Sequence, residues 1–318
     1  MPSIIEELKS KIKGKQIRIV FPEPEDPRVF EAVQRLVEED LVRPILIGSL
    51  ESLSVNQAKI DVMDPKNTPI FNECVQALVE RRAGKCAYEE AQEVLKTHNY
   101  FGTMLVYMNY ADGLVSGAIH STGETVKPAL QIIKTKPGVS RTFGYFLMIR
   151  GDEKYIMADC AINPNPDAKT LAEFAIESAK AAEIFGIEPR VAMLSFSTNG
   201  SAVSEETKKV REAVKLAKAK KSGYLIDGEM QFDAAFVKSV GESKFKESDV
   251  AGKANTFVFP DLNSGNIGYK IAQRLGNFEA VGPILAGLNK PVNDLSRGCS
   301  VEDVYNTAII TAAQSLME

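Results

Sequence analysis

Residues 17–48 read IRIVFPEPEDPRVFEAVQRLVEEDLVRPILIG, and this stretch decides the fold class. Ile17 to Phe21 is an apolar run behind the basic residues Lys13 and Lys15, and the segment PEPEDP stops it, so it reads as a strand. From Pro27 the apolar residues Val29, Val33, Leu36 and Val37 fall at the i, i+4, i+7 and i+8 spacing of one helix face. Pro44 to Ile47 then reads as a second strand ending at Gly48. A strand–helix–strand unit of this kind builds a parallel sheet flanked by helices.

The pattern recurs downstream. Tyr155 to Ala161 reads as a strand, and Asn163-Pro164-Asn165-Pro166 as a rigid turn. Asp167 can cap a helix carrying Leu171, Ala175, Ala179 and Ala182 that ends near Gly186. Val191 to Phe196 is a strand, and Ser204 caps a helix with Val210, Val214 and Ala217 inside. Tyr224 to Ile226 and Thr256 to Phe259 supply further strands. Ile267, Ile271 and Leu275 mark a helix closing at Gly276, and an amphipathic helix from Ser300 ends the sequence. The class is α/β. A boundary is expected near Phe143 to Arg150 and another near Gly287 to Pro291.

Composition narrows the function. With 318 residues, 44% hydrophobic and 25% charged, the chain is of ordinary globular make-up and long enough for two domains. Lys plus Arg number 38 against 42 Asp plus Glu, a balance that gives no basis for nucleic-acid or membrane-surface binding. Cys74, Cys86, Cys160 and Cys299 lack metal-ligand spacing, and free thiols fit a reducing cytoplasm. The first fifteen residues lack the apolar centre of a signal peptide, and no uncharged run approaches the roughly 18 residues of a membrane span. P-loop, dinucleotide-loop and hydrolase-elbow motifs are missing. The two histidines, His98 and His120, stand outside metal motifs, and a lone histidine is more often structural.

The strongest signal is Asn293-Asp294-Leu295-Ser296-Arg297-Gly298-Cys299-Ser300-Val301-Glu302-Asp303, which resembles the C-terminal signature of the phosphate acetyl/butyryl transferase family. The likeness spans essentially the whole chain, through FPEPEDPRV, GAIHSTGETVKPALQIIKT, MADCAINPNP, MLSFSTNGS, DGEMQFDAA and FPDLNSGNIGYK. It implies two α/β domains of isocitrate dehydrogenase-like fold with the active site in the cleft between them. The expected division is residues 1–145 plus 290–318 against residues 146–289. It further implies a cytoplasmic homodimer with no bound cofactor or metal. Coenzyme A enters only as substrate or product, with acetyl-CoA, inorganic phosphate and acetyl phosphate as the other reactants. By position, Ser296, Arg297 and Asp303 match the family's catalytic residues. Arg81 matches a cleft arginine in a looser local context. Lys127 stands where many relatives carry arginine, which keeps the charge but not the bidentate fork.

The residues themselves leave alternatives open. Ser296 and Arg297 precede a helix N-terminus, whose free N–H groups and a guanidinium suit phosphate or a developing oxyanion; a surface arginine beside a cap is the plainer alternative. Asp303 lies three residues after Ser300, where an acid completes a capping box. As a base toward the CoA thiol it faces a deficit: an ordinary Asp near ~3.9 and a thiol near ~8.5 put full proton transfer about 6 kcal/mol uphill. Burial, thiolate stabilisation by Arg297 or concerted transfer would reduce this. Ser197, Thr198, Asn199 and Gly200 form a strand-to-helix loop that is either an anion cradle or a plain turn. Cys299 reads as a small buried residue. Butyryl or other short acyl-CoA transfer is the nearest rival, since one methylene is worth only about 1–3 kcal/mol. A 2-hydroxyacid dehydrogenase lacks its metal carboxylates and glycine fingerprint here, and a non-catalytic acetyl-CoA-sensing module would not need Ser296, Arg297 and Asp303.

Overall fold

The computed structural model describes residues 4–49 and 59–317, so the first three residues of the N-terminal segment read above lie outside it. Two units form, Met1–Thr135 with Leu288–Glu318, and Lys136–Gly287. In the first stretch the elements are α1 (Ile4–Ile12), β1 (Arg18–Phe21), α2 (Pro27–Glu38), β2 (Arg43–Ile47), β3 (Asp61–Met63), α3 (Phe71–Arg82), α4 (Tyr88–Val94), α5 (His98–Tyr107), β4 (Gly113–Ser116) and α6 (Thr122–Pro128), followed by a π-helical turn, Ala129–Ile133. The second unit holds β5 (Phe143–Arg150), β6 (Glu153–Ala158), α7 (Ala168–Ile184), β7 (Arg190–Leu194), α8 (Glu205–Ala219), β8 (Leu225–Met230), α9 (Phe232–Phe236), α10 (Lys238–Lys244), β9 (Thr256–Val258), α11 (Leu262–Leu275) and β10 (Glu279–Ala286). The chain then returns to the first unit as β11 (Val292–Asp294) and α12 (Val301–Ser315).

The opening segment folds as its pattern dictates. Ile19, Val20 and Phe21 are fully buried, as expected of a strand covered on both faces. Asp26 caps α2 by accepting from the Arg28 backbone N–H, and Pro27 sits in the first turn, where its missing donor is harmless. Val29, Ala32, Val33 and Leu36 face inward. Burying each of the larger ones is worth about 1.5–3 kcal/mol.

The first sheet is parallel, in the order β11-β4-β1-β2-β3. From β1 the chain moves through β2 to β3, then crosses back to lay β4 on the other side of β1. The order reverses between β1 and β4, and ligands of open α/β sheets bind beyond the strand C-termini at such a point. Three adjacent strands, β11, β4 and β1, end there together. Gly113 opens β4 under α12; a Cβ there would stand 2.6 Å from the Thr311 methyl, so the C-terminal helix lies close against this strand.

The second sheet runs β10-β5-β6-β9-β7-β8. It is mixed, because β5 pairs antiparallel with both β10 and β6 while the remaining pairs are parallel. Phe143 to Arg150, expected as a boundary, is strand β5. Its FGYFLM core is continuously buried, so it shows none of the alternation that marks a half-exposed strand. The strand expected from Tyr155 to Ala161 ends at Ala158, where the Asp159 carboxylate gathers the backbone N–H groups of Gly144, Ala161, Ile162 and Asn163. Helix α11 forms and is capped by Asp261, but its apolar stripe is not core: Ile267, Ile271 and Leu275 are 57%, 53% and 82% exposed.

Candidate active site

Beyond β1 the chain enters Pro22-Glu23, and beyond β4 it enters Gly117-Ala118-Ile119-His120. Glu23 bridges the two. It is 1% exposed; one carboxylate oxygen accepts from the N–H groups of Gly117 and Ala118 (2.8 and 2.9 Å) and the other from those of Ile119 and His120 (3.1 and 2.8 Å). The second oxygen also meets His120 Nδ1 at 2.6 Å. The loop is thus a backbone nest closed around an internal anion.

The segment after β11 runs alongside this loop. Leu295 N–H donates to the Ser116 carbonyl at 2.7 Å. Gly117, with φ +115°, lies so near that an added Cβ would stand 2.6 Å from both Asp294 Oδ1 and the Leu295 carbonyl oxygen. Arg28, from the first turn of α2, ties the segments together: it donates to the Arg297 and Cys299 carbonyls at 2.9 and 2.8 Å and to the Ala118 carbonyl at 2.9 Å. A two-pronged pair with Asp26 orients the guanidinium. That pairing raises the Arg28 pKa and lowers that of Asp26. Glu23 and Arg28 lie in the FPEPEDPRV string, but nothing in that string gives their partners; the parallel arrangement of the strand ends exposes their roles.

Ser296 and Arg297 are exposed on the resulting loop. Ser300 and Asp303 form the capping box of α12, with the Ser300 N–H and hydroxyl both donating to Asp303 Oδ2 at 2.8 and 2.9 Å. The carboxylate is nonetheless exposed, on the same loop cluster as Arg297. Cys299 is buried, and burial pushes its thiol pKa up, with Arg28 acting in the opposite sense. Asp294, 3% exposed, has an Oδ1 without a hydrogen-bond partner. Burial pushes this carboxyl up to about 6, against hydrogen bonds from Thr122 and Thr125, and the Glu23 charge adds to the rise.

The other expected site residues lie elsewhere. The Arg81 guanidinium donates to the Ile132 and Ile133 carbonyls at 2.6 and 2.9 Å and lies over the Tyr107 ring, holding the end of the π-helical turn. Lys127 is exposed in the last turn of α6. His98 engages the Pro22 carbonyl through Nδ1. In the second unit, the loop Ser197 to Gly200 does cradle an anion, but the anion is the protein's own. Glu229, 1% exposed, accepts from the Ser197 hydroxyl and the Gly200 N–H at 2.8 and 2.9 Å. Thr198 is tied to Gln231, and the Asn199 N–H donates to the Glu229 carbonyl.

An α/β chain with strand ends, a capped helix and a guanidinium converging on one loop cluster is built to handle an anionic substrate. The family profile for phosphate acetyl/butaryl transferase matches residues 3–312. A phosphate acetyltransferase of Bacillus subtilis is 58% identical, covering 99% of this chain and the whole of that relative (100%). Two solved structures are similar throughout. A phosphotransacetylase from Streptococcus pyogenes has a TM-score of 0.97 and 54% identity over 99% of both chains. The EutD phosphotransacetylase from Staphylococcus aureus has a TM-score of 0.93 and 57% identity over 98% of both. The chain belongs to the phosphate acetyl/butyryl transferase family. Its activity is that of a phosphate acetyltransferase, an acyltransferase enzyme.

Proposed function

We propose that the chain interconverts acetyl-CoA plus phosphate with CoA plus acetyl phosphate by direct transfer in a ternary complex, without a bound metal or prosthetic group. The observation that carries this is the Arg28 tie, which brings the Ser296–Arg297 loop against the Gly117–His120 nest at three strand ends. Arg297 binds phosphate and offsets the charge that develops on the thioester oxygen, and Ser296 hydrogen-bonds the reacting group. Asp303 takes the proton of the CoA thiol when acetyl phosphate is the acyl donor. Lys127 supplies a cation for the CoA or phosphate side. Arg81 contributes by holding the turn before Lys134, and the loop Ser197 to Gly200 presents its outer face to CoA with Glu229 locking it in shape. The test is phosphate-dependent release of CoA thiol from acetyl-, propionyl- and butyryl-CoA, with and without EDTA. Acetyl-CoA should turn over fastest and EDTA should change nothing. Faster butyryl turnover would assign the butyryl branch, and loss on chelation restored by a divalent ion would end the metal-free reading.

The working form is a cytoplasmic homodimer in this reading. Ile271 and Leu275 line an apolar groove of about 610 Å³ together with Phe232, Phe236 and Phe278, and Ile267 is exposed on the same helix. An exposed apolar face of this kind can pair with its own copy across a twofold axis. The four cysteines are unpaired, which fits a reducing compartment.

A further inference from the structure

We propose that His120 is the proton carrier on the phosphate side of the reaction. This rests on the acetyl-transfer reading above. The His120 Nδ1 stands 2.6 Å from Glu23 Oε1, and among the described residues the other hydrogen bonds to the Glu23 carboxylate come from backbone N–H groups. A carboxylate that only accepts requires Nδ1 to donate, which leaves Nε2 as the free basic nitrogen. A buried carboxylate that fixes the tautomer of a partly exposed imidazole is the arrangement that prepares a histidine for proton transfer. Here Glu23 is 1% exposed, whereas the His120 side chain is 29% exposed, so the ring reaches solvent from a rigid mount.

Its neighbours point to the phosphate rather than the thiol. Glu124, one turn further on, lies close enough to both His120 and Arg297 for its carboxyl pKa to be lowered by each, after the larger effect of its Ser121 hydrogen bonds. Arg28 donates to both the Ala118 and the Arg297 carbonyls, so an anion held by Arg297 falls next to the loop that carries His120.

The proton balance needs such a group. Hydrogen phosphate enters with one proton that acetyl phosphate does not carry, and CoA leaves with one that acetyl-CoA lacks. As a phosphate oxygen bonds to the thioester carbonyl carbon, Nε2 takes the phosphate proton. The C–S bond breaks, and sulfur takes a proton from the Asp303 carboxyl. His120 then returns its proton and Asp303 regains one through solvent. In the opposite direction Asp303 accepts the thiol proton and His120 protonates the departing phosphate oxygen.

The test compares the full chain with His120→Ala and His120→Asn, the latter keeping one N–H donor to Glu23 so that the nest stays closed. Turnover is measured in both directions with and without added imidazole, which can reach a ring position open to solvent. The expected result is a folded His120→Asn protein with turnover down about 10²–10⁴-fold in both directions, and a partial, concentration-dependent recovery of His120→Ala by imidazole. Turnover of His120→Asn close to that of the unaltered chain would overturn the proposal. So would a loss in both variants that imidazole does not relieve, because a purely structural ring has no chemistry for imidazole to replace. An unaltered chain that releases no CoA with phosphate would instead remove the underlying reading of the reaction.

Discussion

Asp303 shows how one side chain can hold two roles. Its Oδ2 completes the capping box of α12, which a carboxylate at that position does in any helix, while its exposure leaves the group open to a substrate. The Asp303→Asn variant separates the two. An amide oxygen can still accept from the Ser300 N–H, and the cap is worth about 0.5–2 kcal/mol at most. Loss of a general base lowers turnover about 10²–10⁴-fold. The expected outcome is a melting temperature within a few degrees of the original and a deep fall in turnover, greatest when CoA is the attacking thiol. An active but heat-weakened variant would leave Asp303 as a cap only. Asp294 carries a different signature. Its carboxyl rises from 3.8 to about 6 because burial disfavours the charged form. The folded state therefore binds the proton more tightly than the unfolded chain, so stability falls as pH climbs from about 3.8 to about 6, and the full cost stands above that. This corresponds to roughly 3 kcal/mol. Asp294→Asn should raise the melting temperature at pH 8, with the gain shrinking toward pH 4. A gain of equal size at both pH values would contradict this account. His120 shows what local reading misses: by itself it is an isolated histidine, and only the buried Glu23 behind it marks it as more.

At the scale of elements, periodicity and capping were legible. The helix beginning at Pro27 was visible from its spacing, and the α7, α8 and α12 caps from Asp167, Ser204 and Ser300. Strand β5 was not, because a strand buried along most of its length loses the alternation that distinguishes it from other apolar runs. Helix α11 inverts the usual inference. Its stripe has the right period, yet the stripe faces solvent in the isolated chain. Periodicity says that a face will be covered, not by what. If a second copy covers it, Leu275→Glu should leave melting of the fold nearly unchanged, since the side chain is 82% exposed. The same change should halve the mass seen by light scattering. A dimer that survives the substitution would place the interface on another face.

For the molecule as a whole, the sequence by itself determined the α/β class, the helices α2, α7, α8, α11 and α12 with the caps Asp167, Ser204 and Ser300 among them, and the family, through ordered strings that span nearly the entire chain. These are local properties: a spacing, a cap or a motif keeps its meaning wherever the chain later goes. It also singled out Ser296, Arg297 and Asp303, which are close in sequence and stay on one loop cluster. What only the tertiary structure decided is which distant groups meet. Glu23 and His120 are 97 positions apart, and Arg28 and Arg297 are 269 apart. They converge because β11, β4 and β1 lie side by side and parallel, which brings three strand ends to one edge. The same packing turned the Ser197–Gly200 cradle toward an internal carboxylate and directed Arg81 to backbone carbonyls. A basic or N–H-rich segment announces that it will meet a negative charge. Whether that charge belongs to a substrate or to the protein itself depends on which strand lies next to it, and strand order is not written in the local pattern of the chain.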